Sequence, residues 1–482
     1  MRAEIWLLLG TVFFAGCVLP PKEAAHPRQL TGDTVGLGGV EVQPAADGWW
    51  DSFQDPQLDR LIRLGLKDSP SLAQAQARVG AALAQAQTAR AALLPSGNLD
   101  ASALYQRAPQ NYLIPPPLAG HTFWMDQAGA SLGWDVDFWG RQADAVHRAE
   151  DLARAAHLDE DNARLMLAGA IAQAYVELYR EHALVDIAER SEAQRQNIVD
   201  ITRRRVKAGL DTQLEIREAE SQLPQARVAR EQAEAAADLA VHELATLTGQ
   251  GAGGYAAIQR PTLQVEAALP VPTQLPINLL ARRPDVLSAR LTVEAADAGR
   301  RAAKAAFYPD VSLRALAGIG AFGMSNLVQW NARGYGAGPL ISLPLFDGGR
   351  LRAEYRGSEA ELDSAIAGYN DTVLRAVQQT ADQITRIDAL AREHLDQQQT
   401  LEASEAAYKL AEERYRAGLA SYLSVLNAET QVLAARQTMV DILASQAIAR
   451  VTLLLAVGGS FDARSSETLA DAARTAPALL SY

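Results

Sequence analysis

Two stretches of this chain are versions of one another. Residues 204–222 read RRVKAGLDTQLEIREAESQ and residues 413–431 read ERYRAGLASYLSVLNAETQ, agreeing at eight of 19 positions. Arg205 matches Arg414, Gly209 matches Gly418, Leu210 matches Leu419, Leu214 matches Leu423 and Glu220 matches Glu429, always 209 residues apart (418 − 209). The same offset joins WGR at 139–141 to GGR at 348–350, and Thr248-Gly249 to Val457-Gly458. Further upstream, SPSLAQAQARVGAALAQAQTARAALLPS (69–96) mirrors RPDVLSARLTVEAADAGRRAAKAAFYPD (283–310) at an offset of 214 (309 − 95). The five-residue difference falls in the Pro-rich QNYLIPPPLAG of the first copy, and insertions concentrate in exposed loops. A repeat this long means one unit written twice, so each element must appear in both copies.

Each copy runs through its elements in the same order. A helix ends at Leu94-Pro95 in the first and at Tyr308-Pro309 in the second, since proline disfavours helix in the residue before it. Two strand-like runs follow. In ASLGWDVDF, Leu132, Trp134, Val136 and Phe138 alternate with Ser131, Gly133, Asp135 and Asp137. In VSLRALAGI, Val311, Leu313, Ala315, Ala317 and Ile319 alternate with Ser312, Arg314 and Gly318. A period of two gathers the apolar set on one face. The expected strands are 99–106, 124–138, 310–319 and 334–346.

A very long helix comes next. Residues 141–207 and 349–416 lack proline, and the second run spaces Leu362, Ile366, Tyr369, Val373 and Val377 by threes and fours. At 1.5 Å per residue each helix is roughly 100 Å long. Both stop at a glycine, Gly209 or Gly418, just after a cation, Lys207 or Arg416. That is the pattern of a glycine stop with positive charge at the negative helix end. Helices over 212–248 and 420–457 return. Each copy is therefore a long antiparallel α-hairpin with two strands at the far end. The expected division is a first copy at 57–260, a second at 261–460, an extended N-terminal segment at 17–56 and a tail at 461–482.

The N-terminus, MRAEIWLLLGTVFFAGC, has an apolar run from Ile5 to Phe14 that is too short to span a bilayer and suits a signal peptide over 1–16. Ala15-Gly16-Cys17 resembles a bacterial lipobox, and Cys17 is the single cysteine of the chain. A lone thiol cannot make an intramolecular disulfide, so acylation of Cys17 is the expected fate, with two lipid attachments giving a stable anchor. Val18 follows it where Asp would resemble an inner-membrane retention signal, which favours the outer membrane. Beyond residue 17 no run is expected to be long and apolar enough for a transmembrane helix. A net charge of −12 argues against nucleic acid as a partner.

Four strands of about ten residues have the length that crosses a bilayer when tilted. Four cannot close a barrel, and an open edge is not tolerated in lipid. Twelve strands from three chains would close. Trp124, Trp134, Trp139, Trp330, Tyr105, Tyr308, Phe307, Tyr335 and Phe346 lie in or beside the strands, as interfacial girdles do. Trp134, Val136, Leu313 and Ile341 are expected to face lipid, and Asp135, Asp137, Ser312 and Arg314 the lumen.

The chain resembles the TolC-like outer-membrane efflux factors, and most of all their NodT-type lipoprotein branch. The residues that carry the resemblance are AGC at 15–17, WWDSFQDPQLDRLI at 49–62, VDFWGR at 136–141, ARRPDV at 281–286, YPDVSL at 308–313, LPLFDGGR at 343–350 and ERYRAGLASYLSVLNAE at 413–429. The fold class this implies is mainly α with a small β part. Long antiparallel α-hairpins would form a trimeric α-barrel, and four strands per protomer would contribute to a 12-stranded outer-membrane β-barrel.

The implied function is a passive exit duct for small toxic solutes. Its partners would be two further copies of the chain, outer-membrane lipid, a periplasmic adaptor and an inner-membrane pump of the resistance-nodulation-division (RND) type. A type I protein-secretion duct and a non-conducting structural lipoprotein are the alternatives. The tips Lys207, Gly209, Leu210, Arg416, Gly418 and Leu419 are expected to dock the adaptor, because an apolar Leu recurs at an exposed turn in both copies. In the family, helices after the second tip shut the periplasmic mouth with a ring of Leu and Asp. The matching stretch here places Leu423 and Asn427 four residues apart on one face. Asn427 and Ser424 are neutral where members carry Asp. Glu215, 209 residues before Ser424, is the remaining carboxylate, and it also fits a capping box with Thr212. The mouth should be gated mainly by Leu423 and respond weakly to divalent cations.

No enzyme chemistry is legible. GIGAFG at 318–323 matches a dinucleotide-binding spacing but lacks the βαβ context, and reads as a flexible extracellular loop. The seven histidines are scattered, with no pair at metal-ligand spacing. HLDEDNARL at 157–165 reads as an exposed acidic helix turn. No cofactor, metal or catalytic residue is expected.

Overall fold

In the computed structural model the described residues are 21–38, 41, 43, 45–46, 48–111, 115–265, 272 and 274–461. The expected signal peptide, Cys17 and the tail from 462 onward lie outside them.

The two copies have matching elements. In the first, α1 (Pro56–Asp68) and α2 (Pro70–Ala91) lead to β1 (Ser96–Arg107), β2 (Thr122–Val136), α3 (Arg141–Lys207) and α4 (Gln213–Leu247). In the second, α5 (Leu279–Arg282) and α6 (Pro284–Ala305) lead to β3 (Asp310–Phe322), β4 (Arg333–Ser342), α7 (Arg350–Arg416) and α8 (Tyr422–Ala456). The bounds of α2 and α6 differ by 214 (284 − 70, 305 − 91). Those of α3 and α7, and of α4 and α8, differ by 209 (350 − 141, 416 − 207, 422 − 213, 456 − 247). The N-terminal segment holds two short 3-10 helices, Asp33–Val35 and Trp49–Phe53.

The chain divides into two compact units, each drawing on both copies. One comprises the residues up to Gln29 with Val79–Ala156 and Ala289–Tyr369. It holds the sheet, whose order is β1-β2-β3-β4, every pair antiparallel. The register puts Leu99, Ala130, Ala317 and Tyr335 in one cross-strand row, and Trp134 beside Leu313, with Val136, Val311 and Ile341 in another. Partners in register share a face. Trp134, Val136, Leu313 and Ile341 are therefore on one apolar face, as expected. Asp135 pairs with Ser312 on the opposite face, and Arg314 reaches Asp135 at 3.4 Å. Charged residues interrupt the apolar face. Arg107 and Arg333 lie on it at strand ends, and Asp126, between Ala103 and Ala321, is buried with neither carboxylate oxygen hydrogen-bonded among the described residues.

Several sequence expectations need correction. β2 ends at Val136, so Asp137 is not in a strand; its Oδ2 accepts from the Ala143 N–H at 2.8 Å and caps α3. β4 stops at Ser342, short of the expected end, and holds Pro339 opposite Leu313, as an edge strand can. β1 begins three residues earlier than expected, at Ser96. GIGAFG is strand, not loop, through Phe322. A Cβ on Gly318 would stand 2.7 Å from Ala128 O, so glycine there permits the close approach of β3 to β2. Phe307 is no girdle residue; it is buried with Leu351 and Tyr355. The other eight aromatics named above are exposed or partly so.

The second unit comprises Leu30–Arg78, His157–Ser288 and Asn370 onward. Its largest core joins Leu58, Ile62, Ile171, Tyr175, Leu244 and Val451, among others. The Tyr175 hydroxyl donates to Asp55 Oδ2 at 2.8 Å, and Asp55 caps α1 by accepting from the Gln57 N–H. α8 corrects a further expectation. It is long and apolar enough to cross a membrane by length and composition, and half of its most apolar stretch is buried. In the acidic turn, Glu160 and Asp161 are partly buried rather than exposed, and burial pushes the Asp161 carboxyl up.

Candidate functional site: the paired hairpin tips

Both tips are built by one local rule. α3 closes with the Leu210 N–H on Arg205 O at 2.9 Å and the Gly209 N–H on Val206 O at 3.0 Å. α7 repeats this with Leu419 on Arg414 O at 2.8 Å and Gly418 on Tyr415 O at 3.0 Å. These are paired closing bonds about a left-handed residue, with φ of +70° at Gly209 and +80° at Gly418. Only glycine takes that conformation without strain. The leucine after each glycine stays in solvent, Leu210 at 64% and Leu419 at 71% exposure. Lys207 and Arg416 complete the last helical turns, Arg416 reaching Glu412 at 2.6 Å.

The returning helices start differently. Thr212 caps α4 in a capping box: its side chain accepts from the Leu214 N–H, and Glu215 accepts from the Thr212 N–H at 2.9 Å. Hydrogen bonds from Thr212 hold the Glu215 carboxyl below its ordinary range. Ser421 caps α8 without a side-chain bond to the backbone, and its hydroxyl meets that of Ser424 at 3.1 Å. Leu423, Ser424 and Asn427 all lie on the exposed side of α8, while Tyr422, Val425 and Glu429 are buried. The gate candidates thus share a solvent face, except Glu215, which is committed to its own cap.

Between the tips lies a polar cluster that sequence reasoning missed. Arg205 donates to both oxygens of Asp211, at 2.8 and 3.0 Å, and to Tyr415 O at 2.7 Å. The Tyr415 hydroxyl donates to Asp211 Oδ2 at 2.7 Å and lies 2.9 Å from the Thr202 hydroxyl. The Arg205 guanidinium also stands 4.6 Å above the Tyr415 ring. Hydrogen bonding from Arg205 holds the Asp211 carboxyl low, and burial pushes the Tyr415 hydroxyl up to about 12. Lower down, Asn197 donates to Glu412 at 2.9 Å, and Arg195 pairs with Glu429 at 3.1 Å. A signal existed in the repeat itself. The counterparts of Thr202, Asp211 and Tyr415 at the 209 offset are Ala411, Ala420 and Val206, so the copies diverge where these bonds form.

Among the described residues no group of three or more His, Cys, Asp or Glu is placed to hold a metal ion.

A family model described as outer membrane efflux protein matches residues 61–250 and 275–459. Over 479 residues the chain is 30% identical to the multidrug resistance outer membrane protein MdtP of Escherichia coli K12, covering 95% of this chain and 96% of that protein. It is 37% identical over 366 residues to the fusaric acid resistance protein FusA of Burkholderia cepacia, covering 73% of this chain and 68% of FusA. The crystal structure of the outer membrane protein VceC of Vibrio cholerae is similar at a TM-score of 0.82 and 32% identity, over 87% of this chain and 100% of VceC.

Proposed function

The chain belongs to the outer membrane efflux protein family, and on that premise we propose that three copies form the exit duct of a tripartite pump for small toxic solutes. The observation that carries this reading is the sheet. It has one apolar face and one polar face, and β1 and β4 each pair on one side only. Unpaired strand edges cannot stand in lipid. Three copies place β4 of each beside β1 of the next and close twelve strands, apolar face outward and Asp135, Ser312 and Arg314 inward. The hairpins then continue the pore as a helical barrel. Energy comes from the pump, an inner-membrane transporter of the RND type, and no residue of this chain is assigned a catalytic role.

The tips dock the adaptor in this reading. Leu210 and Leu419 are exposed in both copies, and a covering partner would bury them. Leu423 forms the apolar part of the mouth, with Asn427 and Ser424 adding amide and hydroxyl rather than charge. Acylation of Cys17 fixes the chain to the inner leaflet, and the mass of the mature N-terminus reads this directly. Residues 57–260 and 261–460 are the two efflux repeats.

Export assays test the reading. A strain lacking its own duct, given this chain with a cognate adaptor and pump, should regain export of a fluorescent pump substrate. Gly418→Trp should abolish that export while leaving membrane insertion and trimers intact. Export that survives the added bulk removes the docking role from the tips, and no export by the wild type contradicts the duct.

A further inference from the structure

The loop end of the sheet carries cations and no acids. The chain has 57 Asp and Glu residues, yet none falls in 101–125 or in 311–346, the stretches that hold both strand-to-strand loops. Two arginines close the edge strands at that end. Arg107 is the last residue of β1, opposite Thr122, and Arg333 is the first of β4, opposite Ile319. The register sets both on the apolar face, with Tyr105, Trp124 and Tyr335. Both are exposed, and neither has a carboxylate partner among the described residues. The acid of that face, Asp126, is opposite Ala103, further down the strands. Arg333 stands over the exposed Trp330 ring, its Cζ 3.5 Å from the centroid. A guanidinium that close to a ring stacks on it, which leaves its edge of N–H donors free.

The repeat supplies the register of the seam between chains. β3 follows β1 at the offset of 214, and β4 follows β2 at 209. Applied to the pair Ser96–Gly133, these offsets give Asp310–Ser342 (96 + 214, 133 + 209), which is the pair found in β3 and β4. Applied to Asp126–Ala321 of β2 and β3, they give Tyr335 with Arg107 (126 + 209, 321 − 214). Where β4 of one chain meets β1 of the next, Arg107 is therefore opposite Tyr335 on the outward face. It is diagonal to Arg333, with backbones roughly 7–8 Å apart.

We propose that these two arginines, one from each chain, bind a phosphate of an outer-leaflet glycolipid at every seam. The proposal rests on the duct reading above. In that reading the loop end is the outer surface, because α2, α3, α6 and α7 join the strands at the opposite end. Two like charges this close at the rim of the hydrocarbon repel each other, and an anion between them removes the repulsion. Each guanidinium can give parallel N–H bonds to phosphate oxygens. Trp124, Trp330 and Tyr105 suit headgroup depth. A free phosphate ion would use the cations alone. A phosphorylated lipid also lays its acyl chains on the apolar face below, along Ala101 and Leu99, and is therefore the occupant.

Titration of detergent-solubilised trimers with diphosphoryl lipid A, followed by native mass spectrometry and thermal dissociation, tests this. Wild type should take up one lipid A per seam and dissociate at a higher temperature with it. Arg107→Gln and Arg333→Gln should each weaken uptake by at least about tenfold. In lipid-free detergent both variants should be no less stable than wild type, since each removes a repulsion. A loss of stability there makes the arginines structural and overturns the proposal. Lipid A stripped of its phosphates, or inorganic phosphate alone, should not protect the trimer, and protection equal to that by lipid A overturns the assignment. Cysteines test the register. Ile341→Cys with Ala101→Cys should cross-link neighbouring chains, and Ile341→Cys with Ala103→Cys should not, because a diagonal pair is out of disulfide reach. Cross-linking through position 103 instead sets the arginines further apart and overturns the site. Chains that form no trimer fail the duct reading, whereas trimers that cross-link in register and ignore lipid A fail this proposal alone.

Discussion

Tyr415 is fully buried, yet its hydroxyl is shared between Asp211 and Thr202 across the gap between the hairpins. Tyr415→Phe keeps the ring over Arg205 and removes both bonds, leaving Thr202 and Asp211 each one partner short. Such a change costs about 1–3 kcal/mol. It should appear as faster hydrogen exchange at Gly209–Thr212, and unchanged exchange would show that the hydroxyl does not join the tips. Asp211 gives the same contact a pH signature. Its carboxyl is lowered by Arg205 first and Tyr415 second, so its contribution is present above the ordinary aspartate value of about 3.9 and is lost only as pH falls below it. Protection of the tip amides, with the intrinsic pH dependence of exchange divided out, should therefore be flat through neutral pH and fall only in strong acid. Asp126 is the reverse case. It is buried with no partner on either oxygen among the described residues, and a buried polar group without a hydrogen bond destabilises. Asp126→Ala should raise the temperature at which the assembled protein dissociates on a semi-native gel, and a lowered temperature would mean that the carboxylate is satisfied in the membrane.

Among the elements, the strands carry the clearest depth prediction. Ala130 is near the middle of β2, in register with Leu99 and Ala317, while Val136 is the last residue of that strand. Arginine on the lipid face costs about 2–4 kcal/mol at the midplane and about 0–1 near an interface. Ala130→Arg should therefore block barrel insertion far more than Val136→Arg, as read by heat-modifiable migration of outer-membrane fractions. Equal effects would mean that this face does not point to lipid. The long helices were legible in the sequence to within two residues at their ends, because glycine stops mark both copies alike and α3 and α7 are free of proline; α4 runs on through Pro224. Strand ends were less legible. Ser96-Gly97-Asn98 and GIGAFG show no alternation of apolar and polar residues, and of their glycines Gly318 alone answers to close backbone approach. Asp137 followed the alternation and was still not strand, because its side chain was drawn off to cap α3. At the tips the exposed leucines and glycines were readable. Their cross-hairpin partners were not, for Arg195 and Glu429 are 234 residues apart and no local pattern links them.

For the whole molecule, duplication and open edges lead to the same conclusion from different directions. Each chain brings two hairpins to the helical ring, and four strands per chain leave two edges that lipid does not tolerate. Family membership supplies the setting, an outer-membrane duct reaching into the periplasm. The repeat alone could not reveal that the two hairpins of one chain are joined by polar contacts that their pseudo-equivalents lack, since those contacts lie where the copies differ. The measurement that tests the account most directly is the mass of the conducting species. Detergent-solubilised protein should be sized by native mass spectrometry and the same fraction reconstituted in planar bilayers. The account predicts that conductance follows the fraction containing three chains and is absent from single chains; a stable monomer that conducts would contradict it.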